Sequence, residues 1–234
     1  NRMPSTVRGI VISDVRRFPP AGGEQQEYQK YSWKQVRKNM GKIFYMMGKS
    51  SSGKDTIFKE ILKKKELNLH QIVLYTTRPA RANETDGVQY HFVDEKRLSE
   101  LQDAGKVIEL RAYQVVGGVW KYFTVCEEHM NLEKESYAVI GTLESWNAMK
   151  RYFGDQVMVP VYVEVEDGER LSRALVRERQ QATPRYTELC RRFLADTEDF
   201  SEEHLKEAGI EMRFQNDALD ACISRIKLFI QKYL

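Results

Sequence analysis

Apolar positions along this chain fall into short unbroken runs alternating with stretches of helical spacing, the pattern of buried strands joined by helices. The run KIFYMM from Lys42 leads into GKSSSGKDT and then TIFKEILKKK, where Ile57, Ile61 and Leu62 share one helical face. QIVLYTT follows as a β-rich run. LSELQDAGKVIELRAY reads as a helix, a turn at Gly105 and a strand. YAVIG then precedes the helical LESWNAMKRYF, and QVMVPVYVEV reads as a core parallel strand in which Pro160 implies an irregularity or an edge. Two helices interrupted at Thr183-Pro184 come next, then a last strand and an amphipathic helix offering Ile223, Ile226, Leu228 and Ile230 to a sheet. Strand–helix–strand repetition of this kind predicts an α/β fold with a parallel sheet core.

Residues 1–39 break the pattern. They are polar, interrupted by Pro19, Pro20, Gly22 and Gly23, and basic at Arg16, Arg17, Lys34, Arg37 and Lys38. The expectation is an N-terminal extension outside the core, a flexible tail, with RGIVIS as its one segment able to pair as a short edge strand. Met40, directly before the first core strand, is compatible with a shorter natural form starting there.

Composition narrows the picture. A chain of 234 residues, 41% hydrophobic and 30% charged, can bury one core with small insertions. A net charge of +3 gives no argument for a nucleic-acid partner. Cys126, Cys190 and Cys222 have no paired spacing, so neither a disulfide framework nor a zinc site is expected, which fits a reducing cytoplasm. No apolar run approaches the roughly 20 residues of a membrane span. The four histidines are scattered and support no histidine-based metal site or triad.

The chemistry begins at Gly48, four residues, Gly53, Lys54, the spacing of a nucleotide-binding P-loop between a strand and a helix. The glycines let successive N–H groups turn inward around phosphate oxygens, and the following helix points its positive end at the same anion. Gly48, Ser50, Ser52, Gly53 and Lys54 are therefore candidate ATP-binding residues, with Lys54 also catalytic. Where the pattern usually has a Ser or Thr ligand for Mg²⁺, this chain has Asp55 followed by Thr56. Asp55 and Thr56 are the candidate metal ligands, and a carboxylate there brings a negative charge that the metal and nearby cations must offset.

A second informative stretch, TTRPARANETDGVQYHFV, gathers Arg78, Arg81 and Tyr90. Two planar guanidinium forks and a phenol make a clamp for a phosphate dianion. Thr76, Thr77, Arg78, Arg81, Glu84, Gly87, Tyr90 and Phe92, in that order and some thirty residues after the P-loop, resemble the nucleotide-monophosphate subdomain of guanylate kinases, and the resemblance covers about Lys42 to the C-terminus.

That resemblance implies a P-loop nucleoside monophosphate kinase fold: a parallel sheet core, a small β-rich acceptor-binding insertion at about 75–125 and a helical lid at about 170–195. It implies phosphoryl transfer from MgATP to GMP, in purine metabolism, with ATP and GMP as the partners and neither nucleic acid nor membrane. It makes Glu109 the carboxylate that reads guanine, and it places Tyr122 and Thr124 in the element holding the acceptor, with Phe123 where the family has glycine. Arg173, Arg177 and Arg192 become the lid arginines that converge on the transferred phosphoryl group. Arg170, Arg179, Arg185 and Arg191 are expected on the surface or paired locally with Glu178 and Glu188. Asn216 matches an asparagine beside the adenine, while Asp217 alternatively reads as a helix N-cap.

The chain departs from the family at two base-reading positions. The serine expected before Arg78 is Leu74 or Tyr75, depending on register, and an Asp-x-Asp is replaced around Gly141, where Thr142 or Glu144 would substitute. These departures, with the extended Gly117-Gly118 loop, keep open a P-loop kinase for another nucleotide or small phosphate ester. A reading of another class is a non-catalytic guanylate-kinase-like module that binds phosphopeptides. Retention of Gly48, Gly53, Lys54 and the lid arginines argues against it.

Overall fold

A computed structural model describes residues 10–11, 40–115 and 118–234. The described residues form two compact units, one holding 10–11, 72–115 and 118–131, the other 40–71 and 132–234. The expectation for residues 1–39 otherwise lies outside the described residues, except that Ile10–Val11, from the RGIVIS segment, is a short strand, β1.

The larger unit is built on a five-stranded sheet. Its strands are β2 (Ile43–Met47), β3 (Leu69–Gln71), β8 (Ser136–Ile140), β9 (Met158–Glu164) and β10 (Arg213–Gln215). All neighbours are parallel, in the order β10-β9-β2-β8-β3. All five residues of β2 are buried, because helices cover both faces of a parallel sheet. Phe44 and Met46 join a cluster with Ile57, Phe58 and Ile61 of α1 (Lys54–Leu62) and Ile223, Ile226 and Ile230 of α7 (Leu219–Gln231). On the opposite side Tyr45 meets Trp146 of α3 (Leu143–Phe153), ring centroids 5.6 Å apart. With β8 on one flank and β9 on the other, β2 sits where successive crossovers leave in opposite directions, the position at which open α/β sheets bind ligands beyond the strand ends.

Several local expectations change. β9 as a whole is an interior strand, while at Pro160 the expected edge is found locally: β10 pairs only with Tyr162–Glu164, so Pro160 has a β2 partner, Tyr45, on one side and no β10 partner on the other. Leu228 is 61% exposed and does not pack on the sheet. Asp217 is not the cap of α7, whose N-cap is Ala218 with no side-chain bond. After β9 come α4 (Asp167–Arg179) and α5 (Tyr186–Asp199), separated around Pro184 as the sequence predicts, then the short α6 (Glu202–Glu207).

The smaller unit is a mixed sheet in the order β1-β6-β7-β4-β5, with β4 at Tyr75–Thr76, β5 at His91–Phe92, β6 at Val107–Val115 and β7 at Gly118–Val125. The run QIVLYTT is therefore split between the units, ending β3 in one and forming β4 in the other. Leu110 and Phe123 point to one face and pack with Leu98 and Leu101 of α2 (Glu95–Asp103). The register pairs Glu109 with Thr124 and Arg111 with Tyr122, so these four occupy the other face. Among the described residues no helix is long and apolar enough to cross a membrane.

Candidate active site

The end of β2 runs directly into the phosphate loop. Gly48 approaches so near Val163 that an added Cβ would lie 2.3 Å from its carbonyl oxygen, and Gly53, at φ 85, would bring a Cβ within 2.4 Å of Asn216 Nδ2. Gly48 is thus required by space against a fixed backbone, and Gly53 by its backbone angle. Ser51 adopts φ 65, a left-handed conformation that costs a residue with a Cβ about 1–2 kcal/mol. The Oγ atoms of Ser51 and Ser52 are buried without a hydrogen-bond partner among the described residues. A tight, strained loop with buried unsatisfied hydroxyls is polar ground prepared for a ligand.

α1 starts at Lys54, so its unpaired first-turn N–H groups open onto this loop. Lys54 Nζ lies 3.4 Å from Asp55 Oδ2, and the Asp55 side chain is well exposed. Asn216 is buried and braces the loop, its Nδ2 donating to Ser52 O at 2.8 Å while its backbone N–H bonds Glu164 O. Arg173 in turn donates through Nη2 to Asn216 O at 3.0 Å and through Nε to Glu169 at 2.8 Å. Arg173 therefore reaches the loop through Asn216. Arg177, one turn on, is exposed; Arg192 is exposed on α5 and held by Glu188 at 2.8 Å. The two flanking arginines Arg191 and Arg192 depress Glu188 to about 2, the Arg191 hydrogen bond contributing most.

One expectation about the arginines is corrected. Arg170 is not a surface residue: it is 1% exposed, donating from Nε to Asp167 at 3.0 Å and from Nη1 to Asp196 at 3.3 Å, with Cζ 3.9 Å from the centre of the Phe193 ring. Asp196 also accepts the backbone N–H of Ser50 at 2.7 Å, and Asp167 meets Lys49 Nζ at 3.3 Å. Both α4 and α5 are thereby tied to the phosphate loop. Burial works against the charge on Asp167, but Arg170 and Lys49 outweigh it and hold its pKa below the ordinary value. Glu178, also buried, accepts Gln181 Nε2 and the Arg185 backbone N–H, closing the turn between α4 and α5.

The smaller unit gathers the acceptor candidates. Arg78 is buried, donating from Nη1 and Nη2 to the two oxygens of Glu84 at 2.8 and 2.9 Å and from Nε to Tyr122 Oη at 3.2 Å. Its Cζ lies 5.6 Å from the Tyr90 ring centre, and the Tyr90 and Tyr122 ring centres are 5.6 Å apart. Glu84 also accepts the Arg81 backbone N–H at 2.8 Å, and Arg78 holds its carboxyl below the usual range. The Arg81 side chain is exposed. Glu84 thus fixes both the Arg78 guanidinium and the Arg81 backbone, a role the motif contains but its spacing does not reveal. Arg81→Ala is expected to raise the KM for the acceptor about tenfold, the loss of one charge-assisted contact, with kcat little changed. Steady-state kinetics with an unchanged KM would remove Arg81 from the clamp.

Further along the same face, Thr124 Oγ1 donates to Glu109 Oε1 at 2.7 Å, and Arg111 donates to both Glu109 oxygens at 3.0 and 3.3 Å. Arg111 went unnoticed in the sequence, although two residues after Glu109 in a strand is a same-face position. Thr142 lies in the other unit, where it caps α3: its Oγ1 accepts the Ser145 N–H at 3.3 Å and its carbonyl accepts the Tyr45 hydroxyl. Gly141 leaves room for that phenol, since a Cβ there would lie 2.1 Å from Tyr45 Oη.

A central parallel strand, a phosphate loop with its lysine and a braced helix start define a P-loop phosphotransferase of the α/β class. Comparison with known proteins goes further. The family model for guanylate kinase matches residues 40–233, and the chain belongs to that family. A guanylate kinase of Porphyromonas gingivalis is 25% identical over 197 residues, covering 83% of this chain and 99% of the relative. One of Mycobacterium leprae is 28% identical over 188 residues, covering 79% and 88%. The crystal structure of guanylate kinase from Anaplasma phagocytophilum superposes with a TM-score of 0.57 at 20% identity, covering 83% of this chain and 86% of that one, which supports the fold.

Proposed function

We propose that this protein transfers the γ-phosphoryl group of MgATP to GMP, giving ADP and GDP. The observation that carries the reading is the polar face of β6 and β7, where a phosphate reader, Arg78 held by Tyr122 and Glu84, continues into a base reader, Glu109 with Thr124. A carboxylate suits guanine because N1–H and N2–H are adjacent donors. The larger unit supplies the ATP side through Gly48, Ser50, Ser52, Gly53 and Lys54, with Asn216 supporting the loop.

The acceptor phosphate is already nucleophilic at neutral pH, so the protein needs no general base. Its task is to position two polyanions in line and spread the developing charge. Lys54 and the lid arginines Arg173, Arg177 and Arg192 serve that purpose, and closure of a lid excludes water that would otherwise hydrolyse ATP. The residues fit a magnesium ion: Asp55 and Thr56 offer hard oxygens exposed at the first turn of α1, and Mg²⁺ usually takes only one or two protein oxygens beside waters and substrate phosphates. When bound, the ion neutralises phosphate charge. Asp55→Ser is expected to shift the Mg²⁺ concentration giving half-maximal rate severalfold upward, as loss of a charged ligand weakens binding. A superimposable Mg²⁺ titration would assign the ion to Thr56 or water. Three free thiols, Cys126, Cys190 and Cys222, suit a reducing compartment, and we place the protein in the cytoplasm.

The deciding experiment offers GMP, dGMP, AMP, UMP and CMP separately with MgATP to the purified protein and measures ADP. Turnover confined to the guanine nucleotides supports the assignment. Activity on another base, or none, overturns it.

A further inference from the structure

We infer that Arg170 and Asp196 are a positioning pair for phosphoryl transfer: they fix the faces on which α4 and α5 present Arg173, Arg177 and Arg192, and they join those faces to the phosphate loop. The inference rests on the reading of those three arginines given above and adds the pair that sets their direction. The bonds form a closed ring. Asp196 Oδ2 accepts from Arg170 Nη1 at 3.3 Å and from the Ser50 N–H at 2.7 Å, while Asp167 Oδ1 accepts from Arg170 Nε at 3.0 Å and from Lys49 Nζ at 3.3 Å. Lys49 and Ser50 are consecutive in the loop. One guanidinium, 1% exposed, therefore joins the first turn of α4 and the last turn of α5 to two neighbouring loop residues.

Helical spacing turns that anchorage into direction. Arg170, Ala174 and Glu178 recur every fourth residue and form the buried stripe of α4. Arg173 and Arg177, three and seven residues beyond Arg170, lie along one flank of that stripe. On α5, Arg192 precedes Asp196 by one turn and shares its face, and Glu188, a further turn back, holds the Arg192 guanidinium. At the other end of the two helices Glu178 accepts the Arg185 N–H. The three arginines thus lie between two fixed points, and turning either helix about its axis would break one of them. Arg173 already reaches Asn216, the brace of the loop, from its place on α4. Stability alone does not explain the pair. Arg170 Nη2 is buried without a hydrogen-bond partner among the described residues, and a buried ion pair is often no more stable than apolar side chains of similar volume. What the ion pair adds is a fixed partner at a fixed angle, which the planar guanidinium fork enforces.

The test is a mutant cycle on kcat at saturating MgATP and GMP, measured well below the Tm of each variant. In the wild type, Arg192→Ala is expected to lower kcat on the order of 10³-fold. The double variant Arg170→Met/Asp196→Leu replaces the ion pair by apolar side chains and so keeps the fold; its kcat should already be low, and adding Arg192→Ala should cost no more than about tenfold. Arg170→Lys keeps a cation between the two carboxylates but loses the fork, and there Arg192→Ala should cost an intermediate factor of about 100. A merely structural role would lower Tm and leave the cost of Arg192→Ala the same in every background, which overturns the inference while GMP turnover stands. Arg192→Ala without effect in the wild type overturns it too, because the pair would then have no arginine to direct. A wild type that transfers no phosphoryl group to GMP overturns the substrate reading itself, and this inference with it.

Discussion

Lys54→Ala is expected to lower kcat on the order of 10³-fold, the cost of removing one preorganised charged donor from a phosphoryl-transfer site, while the fold survives intact. Lys54 opens α1 directly after the glycine that ends the loop, next to the helix's unpaired first-turn N–H groups. Its ion pair is with the exposed Asp55 at 3.4 Å, and a pair so open to solvent contributes little to stability. Alanine is also a good helix former at that position. Activity and thermal melting therefore separate cleanly. The measurement pairs single-turnover ADP formation with a melt: loss of rate at constant Tm supports the loop assignment, and a variant as fast as wild type would sink it.

The second large effect is on stability. Arg170→Ala is expected to destabilise the larger unit by about 3–5 kcal/mol, the range for removing one partner from a buried charged network. The guanidinium is enclosed, with two carboxylates and the face of Phe193 around it. Without it Asp167 and Asp196 face one another with no cation between them except Lys49, which reaches Asp167 alone among the described bonds. At about 2–4 °C per kcal/mol for a chain of this size, Tm should fall by about 10 °C. The KM for ATP should rise with it, since Asp196 also accepts the Ser50 N–H. Calorimetry with and without ATP checks both, and an unchanged melt would show that the buried cluster carries no net stabilisation.

How far these features could be read from residues alone depends on the range of the interactions behind them. The loop was legible because its glycines answer to local backbone angles, whereas the close approach of Val163 to Gly48 is a long-range contact that no local pattern carries. The α4–α5 break was legible because Pro184 acts locally. Arg170 was misread because an arginine on a helix is solvated by default and its decisive partner, Asp196, lies on another helix. Leu228 matched the apolar stripe of α7 by spacing, yet the buried stripe runs through Cys222, Ile223, Ile226 and Ile230 and leaves it out. Asp217 has the chemistry of a cap but precedes the capping position by one residue. At the acceptor face, Glu109 came from the family pattern; its bonds to Thr124 and Arg111 needed the register of β6 on β7, which strand alternation cannot supply. The bond by which Thr142 Oγ1 caps α3 is local to the larger unit and is not announced by the family pattern.

The sheet order also dictates a sequence of events in time. β2 is made early, but both its neighbours, β8 and β9, arrive only after the whole segment Ile72–Asn131 has been synthesised. Emerging from the ribosome, the strand that will carry the phosphate loop is an apolar segment with two open edges, waiting roughly ninety residues for its first partner. The intervening segment carries its own apolar cluster under α2 and its own antiparallel ladder, so it can collapse locally meanwhile. The smaller unit would then be assembled before β2 has its neighbours, and the period of greatest exposure to aggregation or chaperone capture would end when residues 136–164 emerge and close the sheet around β2.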